Sequence, residues 1–532
     1  MNKVTLYILT CLIVLVSWSK AGLAGEWILF TIDAIILLSL FALYSSKHSL
    51  NFCLISFVPV LLLCLQFSTS YLNPSYRILE SKEWYELNIE KAISEETNIE
   101  KIIMAAENFK NISNLSFVNP NLSHTVFFDF KNRYFDKFPQ SNSSSAKLIY
   151  DYENLISLKP NGFFPTLAIS HTNILIKFFH KICQLSIGII FFLLLNDRTT
   201  IRKLLFTVTI NAGLLALVGI WQKLNYIPSD NLLEILGIWD TPEPRYFFAT
   251  FTYKNHWSAF ALLAITIATG LLVNNFKRYG LDSFRKIKSL CIFLSIIFLT
   301  ISIPLSGSRS GTLLLALTIA ILSVVILKFF CRPSVKKWAI LFLSITISFA
   351  CLLQLGKKLH QETTHEMVTN FKTQFQQIAQ GKLPLRILLW NDLTKQILQK
   401  PIYGYGFNSY RTINPIYQSK VVRDTRNIVL ANAHNSYTPL IRFGHNDWLE
   451  KISEFGILGF VISVPYLILI IYNLFATQSL MSRILLIGSL LFLIYSIIDF
   501  PSQTPLCLMV FSTLVGISLK YSYLLQKKLR EH

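Results

Sequence analysis

Residues 288–330 read KSLCIFLSIIFLTISIPLSGSRSGTLLLALTIAILSVVILKFF. Two apolar runs, about 288–305 and 311–330, flank the short turn Ser306-Gly-Ser-Arg-Ser310. A helix needs about 20 apolar residues to cross roughly 30 Å of hydrocarbon, so the stretch predicts two crossings joined by a tight turn. Lysines stand at the far ends, Lys288 and Lys328, and a single arginine, Arg309, stands in the turn. Working outward in both directions, comparable runs occur at about 4–19, 27–45, 50–70, 174–195, 204–222, 253–275, 338–355, 454–475, 483–499 and 505–522, which makes twelve in all. The run at 174–195 is the weakest: its fully apolar part, Ile182 to Leu195, needs the lead-in with Lys177, His180 and Lys181 to reach full length.

Composition supports a lipid solvent. Of 532 residues 52% are hydrophobic and 15% charged, against about 25% charged in soluble domains, and the mean hydropathy is +0.48. A soluble multidomain enzyme is excluded, and 41 Phe, 22 Tyr and 9 Trp exclude a disordered chain. All eight cysteines lie in or beside apolar runs, so the polar segments offer neither a disulfide framework nor a thiolate metal site.

Orientation follows from Lys and Arg in the short connections. One set of ends carries nineteen, among them Lys3, Lys47, Arg198, Arg285, Lys336, Arg483 and Arg530; the opposite set carries five, Lys20, Lys223, Arg245, Lys254 and Arg309. The expected fold is an all-α polytopic integral membrane protein with about twelve transmembrane helices, both termini cytoplasmic, and two long periplasmic segments. A secretory-signal reading of residues 1–25 is weak, since the start has one Lys and no clean small-x-small cleavage site. The expected parts are 1–70 (spans one to three), 71–173 (a periplasmic segment of unassigned role), 174–355 (spans four to nine), 356–453 (a periplasmic loop) and 454–532 (spans ten to twelve with a cytoplasmic tail). Topology does not account for all of the net charge of +20: residues 356–452 carry thirteen Lys/Arg against six Asp/Glu, whereas 71–170 carry ten against twelve. Long loops cross the membrane largely regardless of charge. The basic loop is either a solvated surface or the dock of an anionic ligand.

Three constellations could carry chemistry, all on the expected outer side. Arg309 stands in the Gly/Ser turn at the start of a transmembrane helix, whose first N–H groups lack intrahelical partners and favour an anion; its planar fork suits phosphate oxygens. The bland alternative is an interfacial arginine snorkelling to lipid headgroups. Leu313, four residues on, is expected to anchor that helix face in the core. Arg386-Ile-Leu-Leu-Trp390 opens a helical pattern with Leu389, Leu393, Ile397 and Leu398 able to face inward, ended by Pro401-Ile-Tyr-Gly-Tyr-Gly406. Here the alternative is an exposed arginine on an amphipathic helix. The third is Gly444-His-Asn-Asp-Trp-Leu-Glu-Lys-Ile-Ser-Glu-Phe-Gly-Ile-Leu-Gly459. If it is helical from His445, then Asp447, Glu450 and Glu454 fall away from the imidazole, leaving no carboxylate of that helix to orient it. A histidine at the lipid–water boundary can take a proton near neutral pH, or merely cap the interface. His434-Asn435 forms a second His-Asn pair, and the residues alone do not rank the two.

In this order, Arg309-x3-Leu313, Arg386-x3-Trp390 with Pro401, Gly404 and Gly406, and His445-x10-Gly456 with Gly459 resemble the recurring features of the O-antigen ligase/polymerase superfamily. Phe251-Thr-Tyr-Lys-Asn-His-Trp-Ser-Ala259 resembles that family's Phe-x-x-x-Asn-x-x-Ala stretch. The resemblance spans about 170–525, and 71–173 match no feature of it. It implies a membrane enzyme that transfers glycan from an undecaprenyl-diphosphate-linked donor to a hydroxyl on a glycolipid such as lipid A-core, on another glycan or on a protein. It also implies no nucleotide sugar, ATP, cofactor or catalytic metal. Arg309 and Arg386 then handle the diphosphate and His445 is the base, with His434 second for want of a glycine at the matching spacing. Asn255, Lys254 and Asn446 are weaker candidates. Expected partners are the lipid-linked donor, the acceptor and membrane lipids, with no nucleic acid, at a bacterial inner membrane and with the site facing the periplasm. Ligase is the leading reading, with a Wzy-type polymerase or an O-linked protein oligosaccharyltransferase as its alternatives. A transporter of the inorganic-carbon-uptake type is the competing class; coupling favours ionisable residues at mid-membrane, and Asp33 is the one acidic residue well inside an expected span.

Overall fold

The computed structural model describes residues 2–44, 171–225, 246–330, 384–410 except 400, and 443–531, with 61–67 except 63 and scattered positions within 235–238 and 414–441. The segment 71–170, the span expected at 338–355, most of the span expected at 50–70 and His434 lie outside these residues.

Apolar runs become helices because a backbone in lipid must satisfy its own N–H and C=O groups. In chain order they are α1 (Asn2–Trp18), α2 (Glu26–Tyr44), α3 (His171–Leu194), α4 (Arg198–Leu224), α5 (Lys254–Tyr279), α6 (Ile287–Leu305), α7 (Arg309–Phe330), α8 (Leu385–Gln399), α9 (Asp447–Ala476), α10 (Leu480–Ile498) and α11 (Pro505–Arg530). The strands described are two-residue pieces, β1 (Ile428–Val429) and β2 (Ser436–Tyr437), paired antiparallel. Among the described residues eight helices, α3 to α7 and α9 to α11, are long and apolar enough to cross a membrane, and α1 is a shorter apolar helix. The weak run at 174–195 is a full helix, 24 residues long. Large apolar side chains stand fully outward, including Phe41, Tyr472 and Phe475, as lipid-facing residues do. The chain is a multi-pass helical membrane protein.

Two compact units divide it: Met1–Val60 with His180–Gln376 and Pro465–His532, and Leu61–Phe179 with Gln377–Val464. The first is built around α5, which packs against α4, α6, α7, α10 and α11. Its sequence allows this, since Ser258, Ala259, Ala261, Ala264 and Ala268 are all buried and small residues let helix backbones approach closely. The partners answer in kind: a β-carbon on Gly311 of α7 would collide with Ser258, and one on Gly488 of α10 with Thr266. Polar caps start two of the helices, with Asp197 accepting from Thr200 N at 2.7 Å and Ser479 from Ser482 N at 3.2 Å.

This packing overturns one expectation. Leu313 is 58% exposed, so it does not anchor α7 in the core. The inward face of α7 carries Gly311, Thr312, Leu314, Leu315, Thr318 and Leu322, all buried, and it is Gly311 that admits Ser258 of α5.

The same unit pairs the acidic residue read inside a span. Asp33 Oδ2 lies 2.5 Å from His180 Nδ1, both side chains buried, with Phe30 edge-on to the imidazole. Partnership of this kind is what makes an ionisable group tolerable inside a membrane helix.

The second unit is organised by α8 and the segments that close over it. Leu389, Leu393, Tyr410, Val422 and Ile441 form its small apolar core, with Leu385, Leu388, Ile397 and Leu449 packed against it. Leu398, expected to face inward, is 69% exposed; the buried face of α8 is Leu389, Asp392, Leu393 and Gln396. Two polar residues belong to that face because each has a partner. Asp392 accepts from Ser419 N at 2.8 Å, and Gln396 donates to Ser453 Oγ at 2.7 Å.

Candidate active site

His445 does not begin a helix. Asn446 has the position and chemistry of an N-cap: its Oδ1 accepts from Leu449 N at 3.0 Å and its carbonyl from Glu450 N at 3.0 Å. The helix α9 therefore starts at Asp447, and His445, one residue outside the cap, has a left-handed backbone with φ +51°. This corrects the reading of a helix from His445, and the signal was present in the sequence as Asn446 followed by Asp447 and Glu450. Glu450 does not fall away from this turn either: its Oε2 accepts from Gly444 N at 2.8 Å. On the other side a β-carbon at Gly444 would meet Leu393 Cδ2 at 3.0 Å and the Tyr410 ring at 3.4 Å. The His445 turn thus lies on the core of α8, the helix whose second residue is Arg386.

The glycines of the two later constellations meet. At Gly456 the helix α9 is broken by φ +69°, ψ −175°, a region that essentially only glycine occupies. The break frees backbone groups on both sides of it, and the 401–406 segment takes them up. Tyr405 N donates to Ser453 O (2.9 Å) and Gly406 N to Glu454 O (2.7 Å), while Ile457 N donates to Pro401 O (2.7 Å) and Leu458 N to Ile402 O (3.2 Å). A β-carbon on Gly404 would stand 2.5 Å from Glu454 O. Gly459 has its own contact, its carbonyl accepting from Gln66 Nε2 at 2.8 Å. Beside this joint, Phe407 packs on Phe455 with ring centroids 5.8 Å apart. Lys451, bonded to Glu454 Oε2 at 2.6 Å, holds its ammonium 5.1 Å from the centre of the Phe407 ring.

Arg309 belongs to the first unit. Ser308 caps its helix, with Oγ accepting from Gly311 N at 3.1 Å and the carbonyl from Thr312 N at 3.0 Å, so Arg309 is the first helical residue. The same Ser308 hydroxyl donates to Asn255 Oδ1 at 2.7 Å. Asn255 Nδ2 in turn donates to Asp499 Oδ2 and, at 2.9 Å, to Tyr253 OH. Tyr495 OH lies 3.3 Å from both Ser308 Oγ and Ser310 Oγ. Asp499, fully buried, also accepts from Phe500 N at 3.0 Å. A buried polar net of this kind, with partners at each node, fixes the turn that carries Arg309. Sequence reading proposed Asn255 and missed Asp499 and Tyr495, which stand at a span boundary with no local pattern to mark them. Lys254 Nζ lies 5.0 Å from the centre of the Tyr246 ring.

Residues 294–464 match the family model described as O-Antigen ligase. That segment is similar to O-antigen ligases. No curated protein matches the chain. The ligase segment runs from within α6 to within α9 and contains Arg309, Arg386, His445, Gly404, Gly406, Gly456 and Gly459, whereas Asn255 and Asp499 lie outside it. The match supports a resemblance of this part of the chain to the O-antigen ligase/polymerase superfamily.

Proposed function

We propose that this protein is a membrane glycosyltransferase of the O-antigen ligase type, moving glycan from an undecaprenyl-diphosphate carrier to a hydroxyl acceptor such as lipid A-core at the periplasmic face of the inner membrane. The observation that carries the reading is that one ligase-family segment, 294–464, contains both arginines and the histidine. The acceptor oxygen attacks C1 of the donor sugar directly, the C1–O bond to phosphate breaks with its electron pair leaving on the diphosphate, and the configuration inverts. His445, in its neutral form, takes the proton of the acceptor hydroxyl. Arg309 and Arg386 hold the diphosphate, whose negative charge grows as the bond breaks, so their attraction is larger in the transition state than in the ground state. The excess of basic residues in 356–452 supports an anionic ligand there.

Deleting the gene and analysing the lipid-linked glycans of the cell tests the reading. Full-length, unattached chains on the lipid carrier are expected of a ligase. Single repeat units would make it a polymerase with the same donor chemistry, and unchanged glycans would contradict both.

A further inference from the structure

His445 is held in a conformation that costs an L-residue strain, and three of the hydrogen bonds around it hold the residues on either side. Two of them, Leu449 N to Asn446 Oδ1 and Glu450 N to Asn446 O, are ordinary capping bonds that any helix start requires. The third is different in kind. Gly444 N to Glu450 Oε2, at 2.8 Å, runs from the helix to the residue before His445, closing a loop around it. Glu450 makes this bond from a place where burial and the like charges of Glu454 and Asp447 oppose a carboxylate, with Lys451 as the opposing cation. The side chain is 3% exposed, in a helix that already carries Asp447 and Glu454, while the neighbouring ammonium of Lys451 is bonded to Glu454. Burying a carboxylate among like charges opposes folding unless the group is bonded, and Glu450 accepts a bond from the turn itself, at Gly444 N.

We infer that Glu450 is the positioning residue of His445: its carboxylate holds the 444–446 turn so that the imidazole meets the acceptor hydroxyl in one orientation. The inference rests on His445 being the base. Glu450 acts through His445 and has no contact with substrate assigned to it.

The test uses membranes of a deletion strain that carry the full-length variants, with that strain's own undecaprenyl-diphosphate-linked glycan as donor. Glu450→Ala is expected to lower the rate at saturating donor at least tenfold with the KM for donor unchanged. Glu450→Gln, whose amide oxygen still accepts from Gly444 N, keeps at least a third of the rate. Glu450→Asp is too short to reach and is as slow as the alanine variant, and it carries the test should the latter fail to accumulate. Added imidazole restores His445→Ala and the Glu450→Ala/His445→Ala double variant to the same rate, because Glu450 has nothing left to position. A wild-type rate in Glu450→Asp, a glutamine variant as slow as the aspartate one, or a rescued double variant tenfold slower than the rescued single one would overturn the inference. His445→Ala at the wild-type rate would instead remove the reading of the site on which it rests.

Discussion

The φ of +51° at His445 costs an L-residue about 1–2 kcal/mol, and a residue held so by Asn446 and Glu450 has a fixed direction. The same logic of fixed direction applies to the arginines. A guanidinium presents several N–H donors in one plane and can grip a diphosphate through two of them at once, which an ammonium cannot do. Arg386→Lys keeps the charge and loses the fork. It is expected to reduce glycan transfer at least tenfold while the protein accumulates normally, read as transferred glycan per unit of enzyme. A variant with wild-type transfer would reduce Arg386 to a general positive charge. At this scale the sequence told much. Arg309, Arg386 and His445 stand out as residue types in particular turns, but Asp499 does not, because its role comes from Asn255, more than two hundred residues away in the chain.

Between elements, the joint of 401–406 with the break in α9 is the feature that links two constellations which look separate in sequence. Four backbone hydrogen bonds cross it, and they exist because Gly456 opens the helix at a place where four orphan groups can find partners. Gly456→Ala would place a β-carbon against the Ile402 carbonyl and force a glycine-only backbone on alanine, the backbone alone at a cost of roughly 1–3 kcal/mol. Gly280→Ala is the matching control: φ +57° and ψ −142° there also strain an alanine, by about 1–3 kcal/mol, but nothing lies within 4 Å of the added atom, so the two variants differ in the collision. Thermal unfolding of the detergent-solubilised protein, followed by size-exclusion, is expected to show a larger drop in Tm for Gly456→Ala than for Gly280→Ala. Equal shifts would mean that the joint contributes nothing. The glycines themselves were visible in the sequence, but their meeting was not. Backbone pairing between 401–406 and 453–458 leaves no side-chain pattern to read. The start of α9 is visible in the sequence as a capping asparagine, although the helical pattern around it also allows a start at His445. Leu313 shows the converse: spacing places a residue on a helix face, and only the neighbour decides whether that face meets α5 or lipid.

For the whole molecule, apolar runs were enough to locate the eight helices that, among the described residues, are long and apolar enough to cross a membrane, because a span near 20 residues is set by the bilayer and not by tertiary context. Sidedness rests on charge counting and is tested separately. Fusions of a periplasm-dependent phosphatase after Ser143 are expected to be active and those after Arg285 or Arg483 inactive, and the reverse pattern would place the His445 loop in the cytoplasm. The remaining charge, the basic excess in 356–452, is the feature that topology leaves over and that an anionic lipid carrier would use. The most direct measurement is glycan transfer in a deletion strain complemented with wild type, His445→Ala or Arg309→Ala at matched protein levels, read as glycan attached to acceptor and glycan left on the lipid carrier. Both variants are expected to abolish attachment while the lipid-linked donor accumulates. Normal attachment in both would contradict the account.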